Sequence, residues 1–223
     1  MLLSVCVRLC VAISRRSADV AIEAAWGFLL EAAGQLGAVA TFRFDLVDLG
    51  RRVIASKFAD TWGEYSLAFK KRNATGCARL RIRCLAIIDD YDSLLSTDPN
   101  FLLGRWLNWS AAWAHDEPSA ANLEYNARNQ LTLWGPSGQV ADYAKKEYSG
   151  LVRSFYRPRY ELLFSMAEVV LQEAATSWNQ TVYARAVRET VEIPWQTSRT
   201  TFSNLPEADA VTVSSVMHAK YCS

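Results

Sequence analysis

Apolar residues recur along this chain in steps of three and four. From residue 46 one stripe runs Leu46, Leu49, Val53, and its neighbour runs Ile54, Phe58, Trp62, Tyr65, Phe69. That spacing keeps one face of an α-helix apolar, so a helix is predicted over about 46–72. Asp45 suits its start, and Lys70, Lys71 and Arg72 suit its end, where the helix dipole favours cations. Residues 73–76 read as a break. A second stripe, Cys77, Leu80, Cys84, Ile87, Tyr91 and Leu94, predicts a helix with one seam buried against neighbours. Asp98 precedes Pro99 and is pushed out of helical geometry, which ends that helix.

The rest of the chain continues in the same mode. A short helix is predicted over 101–113, then a loop over 115–118. Ser119 is the expected N-cap of a helix running to Trp134. Gly135-Pro136-Ser137-Gly138 must stop that helix. Val140, Ala144, Tyr148, Leu151 and Phe155 then rebuild a helical face, Pro158 marks a junction, and Leu163, Met166 and Val170 carry the next helix. Weaker helices are predicted over 182–191 and 206–221, on either side of a polar loop at 197–203. Strand-like alternation is almost absent. The prediction is an all-α bundle of about seven helices, without internal repeat or long linker.

Composition agrees with a packed domain. The chain has 223 residues, 51% of them hydrophobic and 21% charged, with a net charge of +1. A chain of that size and balance can bury its own core and is not a disordered protein. Its neutral charge argues against nucleic-acid binding. No apolar run reaches the ~18 residues a membrane span requires. The run from Met1 to Ile13 is interrupted by Arg8 and followed, not preceded, by Arg15 and Arg16, so it lacks the order of an export signal. Eight Trp are the unusual feature, and they point to a large aromatic core, a carbohydrate-facing surface, or both.

Few residues form a catalytic pattern. Cys6, Cys10, Cys77, Cys84 and Cys222 show no metal-ligand spacing, neither His115 nor His218 lies near a Cys pair, and no metal or cofactor is expected. Cys77 and Cys84 share a helix face and read as small apolar residues. Among the acids Asp89, Asp90, Asp92, Asp116 and Glu117, only Asp89 and Asp92 are spaced to share a helix face. A glycosidase needs two carboxylates flanking one bond, ~5 Å apart for retention, and no other polar group converges on this pair. It reads as solvated helix surface, and no catalytic residue is assigned. His115 reads as a surface loop residue. Asn73, Asn108 and Asn179 each begin a sequon for N-glycosylation.

One block stands out. A helix carrying Asn126 and Gln130 one turn apart runs into Trp134 at a Gly-Pro stop, and Tyr143 follows nearby. Aromatic rings beside amides suit the apolar C–H faces of sugars. On residue chemistry alone Trp134 fits either that role or core packing, which is the commoner fate of a Trp.

This block, Glu124 to Gly135 with Asp142-Tyr143-Ala144 and Phe155-Tyr156-x-Pro158-Arg159-Tyr160, resembles the C-terminal helical domain of alpha-N-acetylglucosaminidases. Trp26-Gly-Phe-Leu29-Leu30, Phe42-Arg43-Phe44-Asp45-Leu46 and Phe101-Leu102-Leu103-Gly104-x-Trp106-Leu107 are similar to the same domain in the same order. The resemblance covers residues 18–223 and leaves 1–17 as a segment unlike the family. It implies a glycoside hydrolase that removes terminal alpha-linked N-acetylglucosamine with retention, in animals from heparan sulfate in the lysosome. It implies that both catalytic glutamates lie on a (β/α)8 barrel preceding the helical domain, a barrel that 223 helical residues cannot contain. Position by position it assigns Trp134, Val140 and Tyr143 to the sugar pocket.

The resulting expectation is a C-terminal domain, a fragment without activity of its own, that walls the sugar pocket of a barrel absent from this chain. Its implied partners are that barrel and an N-acetylglucosamine-terminated glycan, in a lysosomal or secreted setting. The alternative is a free-standing, non-catalytic helical module with interaction or weak sugar-binding capacity.

Overall fold

The computed structural model describes residues 16–135, 138, 140–173 and 177–222, with side chains from residue 20 onward. The run over 1–13, Cys6, Cys10, and Pro136 and Ser137 of the turn lie outside the described residues. Among the described residues eight continuous helices make up the bundle. They are α1 (Arg16–Leu36), α2 (Ala40–Lys70), α3 (Ala74–Leu95), α4 (Leu103–Ala111) and α5 (Glu117–Leu131). α6 is a π turn (Val152–Tyr156) continued by Arg157–Gln172. α7 joins Gln180–Val187, a π turn (Arg188–Glu192) and Ile193–Thr197, and α8 is Ala210–Tyr221. Among the described residues the only strand-like feature is an isolated bridge between Leu102 and Ser149. The fold of the described residues is all-α, with no barrel among them.

The central pair is α2 and α3, packed side by side. α2 has 31 residues and so spans about 46 Å. Its predicted stripe is buried from Leu46 through Phe69, apart from the partly buried Leu49, and the whole α3 seam from Cys77 to Leu94 is buried with it. Cys77 and Cys84 are indeed small core residues, and burial pushes the Cys84 thiol up to about 12. α6 lays Tyr160 and Phe164 against Phe58, Trp62 and Tyr65 in an edge-to-face aromatic cluster, with Tyr65 and Phe164 centroids 4.7 Å apart. Such pairs add ~0.5–1.5 kcal/mol each beyond the area they bury. On the other side of α2, α1 inserts the fully buried Trp26 over Gly50. A Cβ at Gly50 would lie 2.5 Å from the Trp26 ring, so only Gly permits this approach.

Several expectations are corrected. α1 has no counterpart among the helices expected from the apolar spacing. α2 starts at Ala40, not near Asp45, and its N-cap Val39 gives no side-chain hydrogen bond. The break before α3 is Lys71–Asn73, where Arg72 has φ 52, and Gly76 is already helical. α5 is capped by Asp116, with Ser119 completing a capping box three residues on, and it ends at Leu131 rather than Trp134. Residues 140–149 are turns and extended chain, not helix, because Asp142 (φ 60) and Lys145 (φ 43) take left-handed backbone. Pro158 is no junction. It lies inside α6 just after a π turn, as Pro194 does in α7, and the wider turn spares the ring its clash with the carbonyl four residues back.

Candidate functional site

The site grows from the C-terminus of α5. Asn129 is its hub. Its backbone carbonyl accepts from the Trp134 amide at 2.7 Å, the bond by which the chain closes over a helix end. Its side-chain Oδ1 accepts from the Gly135 amide at 2.9 Å and from Nε2 of the buried Gln196 on α7 at 2.7 Å. This clamp holds Trp134 at φ 46, a conformation that costs a bulky residue ~1–3 kcal/mol and persists only where its surroundings impose it. Asn129, rather than the neighbouring Asn126 and Gln130, makes these contacts. A helical Asn five residues before a Trp-Gly pair was the available signal.

Beyond the turn, the amide of Asp142 returns to the buried Thr132 carbonyl at 2.8 Å, and the Tyr143 amide to the Val140 carbonyl at 3.1 Å. The Asp142 carboxylate then makes a two-pronged pair with the Arg159 guanidinium at 2.8 and 3.0 Å. Arg159 also lies 3.2 Å from Glu192, and all three groups are buried. Burial alone would lower the Arg159 pKa, but Asp142 and Glu192 outweigh it and hold the guanidinium charged. Glu192 is raised instead, by burial first and by repulsion from Asp142, with Arg159 partly offsetting both. The Arg159 guanidinium lies over the rings of Phe155 and Tyr156. A buried carboxylate thus fixes the backbone next to Tyr143 from below.

On this frame the three predicted pocket residues face outward. Trp134 is 39% exposed, Val140 42% and Tyr143 68%, so none is a core residue. The Trp134 and Tyr143 rings meet with centroids 5.2 Å apart and planes at 59°, an open aromatic corner.

Other candidates take structural roles. Asp92 is buried and accepts from the amides of Gly150 and Arg153 at 2.8 and 3.0 Å. Burial raises its pKa against the pull of those bonds. Gly150 has φ 88, as this close approach requires. Asp89 pairs with Arg157 at 2.8 Å, Asp90 binds Lys220 and Tyr221, and Asp116 caps α5 next to Glu117. Each of these charges, Glu117 apart, is occupied by packing or capping rather than aimed at a shared bond. His115 is exposed, and His218 packs edge-on against Trp26. Asn73, Asn108 and Asn179 are all exposed. Asn73 and Asn179 cap α3 and α7 through their carbonyl oxygens, which leaves the amide nitrogen of each free of the cap. Among the described residues no cluster of His, Cys, Asp or Glu could hold a metal ion, and no helix is long and apolar enough to cross a membrane.

Residues 15–220 match the sequence model of the alpha-N-acetylglucosaminidase (NAGLU) C-terminal domain. Human alpha-N-acetylglucosaminidase is 32% identical over 199 residues, which cover 88% of this chain and 26% of the human protein. The fold is similar to that of a family 89 glycoside hydrolase from Clostridium perfringens in complex with 2-acetamido-1,2-dideoxynojirmycin. That likeness has a TM-score of 0.78 at 19% identity and covers 89% of this chain and 23% of that one. A doubly substituted form of the clostridial enzyme, in complex with its substrate GlcNAc-alpha-1,4-galactose, is similar to the same degree, at TM-score 0.78 and 19% identity, with 89% of this chain and 23% of that one covered. The chain spans about a quarter of the length of these relatives. It belongs to the alpha-N-acetylglucosaminidase C-terminal domain family.

Proposed function

We propose that this domain forms one wall of a glycosidase pocket for terminal alpha-linked N-acetylglucosamine, with Trp134, Val140 and Tyr143 as the contact residues. The observation that carries the reading is the exposed Trp134–Tyr143 corner on a backbone fixed by Asn129 and by the Asp142–Arg159–Glu192 cluster. Two rings held open at this cost in backbone strain suit an apolar sugar face better than they suit stability. Binding sites need such preorganisation, since an ordered wall loses little freedom when the ligand arrives.

The chemistry belongs to a partner. Retaining hydrolysis needs a carboxylic acid to protonate the leaving oxygen and a carboxylate to attack the anomeric carbon. Asp89 and Asp92, the spaced pair in this chain, are committed to Arg157 and to the Gly150 turn. A (β/α)8 barrel therefore supplies both carboxylates, and this domain excludes water and orients the sugar. The setting is lysosomal or secreted, where the exposed sequons are open to glycosylation.

Kinetics test the wall. In a polypeptide that joins this domain to its barrel, Trp134→Ala and Tyr143→Ala should each lower kcat/KM for an aryl alpha-N-acetylglucosaminide by about tenfold or more, equivalent to ~1.4 kcal/mol. Unchanged kcat/KM in both variants would overturn the assignment. The 223-residue chain alone should show no turnover.

A further inference from the structure

Apart from the corner, α4 and α5 enclose an open groove of about 320 Å³, within the usual size range of small-ligand sites. Trp106, Trp109 and Trp113 line one wall, at helical spacing along α4 and its end. Asn126 and Gln130, one turn apart on α5, line the other. Trp109 is 54% exposed and Trp113 81%. Leaving two indoles in water forfeits the burial free energy that large aromatics normally contribute, so packing within this chain does not explain them. The Ser110 hydroxyl bonds the Leu123 carbonyl at 2.9 Å and holds the two helices at this separation. Arg105 steadies the Trp109 ring from 4.9 Å.

We propose that this groove is a second glycan-binding site, for a neutral oligosaccharide, and that it stands independently of the pocket-wall reading. Pyranose rings offer apolar C–H faces to indoles and hydroxyl or acetamido groups to amides. The groove supplies both partners on opposite walls, and no charged side chain lines it. An anionic glycan would demand a cluster of cations, and Arg105 alone, already stacked on Trp109, does not make one.

The probe is a β-1,4-linked N-acetylglucosamine tetramer, titrated into the full 223-residue chain produced without glycosylation and followed by tryptophan fluorescence. Saturable change is expected. Trp113→Ala should weaken the tetramer about tenfold, and Asn126→Ala with Gln130→Ala severalfold. Ile82→Ala, an exposed change on α3 outside the groove, should leave binding unchanged. Trp113 is exposed, so its variant should keep the parent melting midpoint and remain interpretable. No saturable change up to the tetramer's solubility limit would overturn the proposal. Loss of binding in Trp134→Ala but not in Trp113→Ala would assign the sugar to the corner instead. A sulfated heparin tetrasaccharide that binds equally well would contradict the neutral-ligand claim. Concentration-dependent dimerisation abolished by Trp113→Ala would make the groove a contact between copies of the chain.

Discussion

Two aromatic groups in this molecule use the same residue types for opposite ends. In the core, Trp62, Tyr65, Tyr160 and Phe164 sit on regular helices, buried to 5% or less exposure, and pack edge-to-face. At the corner, Trp134 and Tyr143 meet at 5.2 Å yet remain exposed, on irregular backbone with left-handed residues at Trp134 and Asp142. In the first group the rings hold the backbone. In the second the backbone, through Asn129 and the Arg159 cluster, holds the rings. The contrast separates aromatic residues held by packing from those held by strained backbone, and the second kind is the one proposed as a contact surface.

Substitutions should widen that contrast, beginning with the largest effects. Phe164→Ala empties the centre of the core cluster and should cost ~3–5 kcal/mol, lowering the calorimetric midpoint by roughly 10 °C. Arg159→Met should cost a comparable ~3–5 kcal/mol, because it strands Asp142 and Glu192 as buried, unpaired carboxylates. It should also loosen the corner, which hydrogen exchange at the amides of Asp142 and Tyr143 would detect. Gly50→Ala should cost ~1–3 kcal/mol in urea denaturation by forcing the buried Trp26 ring and Leu94 aside.

Glu192 gives a smaller, pH-dependent effect. Its folded pKa is raised, so the stability it contributes is fully present below the ordinary glutamate pKa and is lost as pH rises through the folded value. Its ionised form is therefore a net cost in the fold relative to the unfolded chain. Glu192→Gln should therefore be at least as stable as the parent at pH 7, within about 1 kcal/mol, and the difference should shrink on acidification. A core-sized loss in Glu192→Gln at pH 7 would show that the Arg159 pair outweighs burial.

The same contrast explains what the sequence disclosed. Core faces are written in local spacing, so α2 and α3 were legible from their three-four stripes almost residue by residue. That a helix must stop in this block was legible because Gly135 and Pro136 cannot continue one, although α5 already ends at Leu131. Residues 140–149 were misread because their apolar spacing is helical, whereas their conformation is set by partners far along the chain. Asp142 is fixed by Arg159, 17 residues away, and Asn129 is tied to Gln196, 67 residues away. Ser149 is bridged to Leu102 across the bundle. Such long-range polar contacts have no periodicity to reveal them. Pro158 misled for a related reason, since the π turn that accommodates it leaves no mark in composition.

The most direct test of the central claim is the denaturation midpoint of Trp134→Ala, measured beside Phe164→Ala in the same chain. If Trp134 is held open as a contact surface, its removal should change stability by less than about 1 kcal/mol, with no more than a few degrees of shift in melting. A loss equal to that of Phe164→Ala would contradict the account, because it would make Trp134 a structural residue and leave the corner without its purpose.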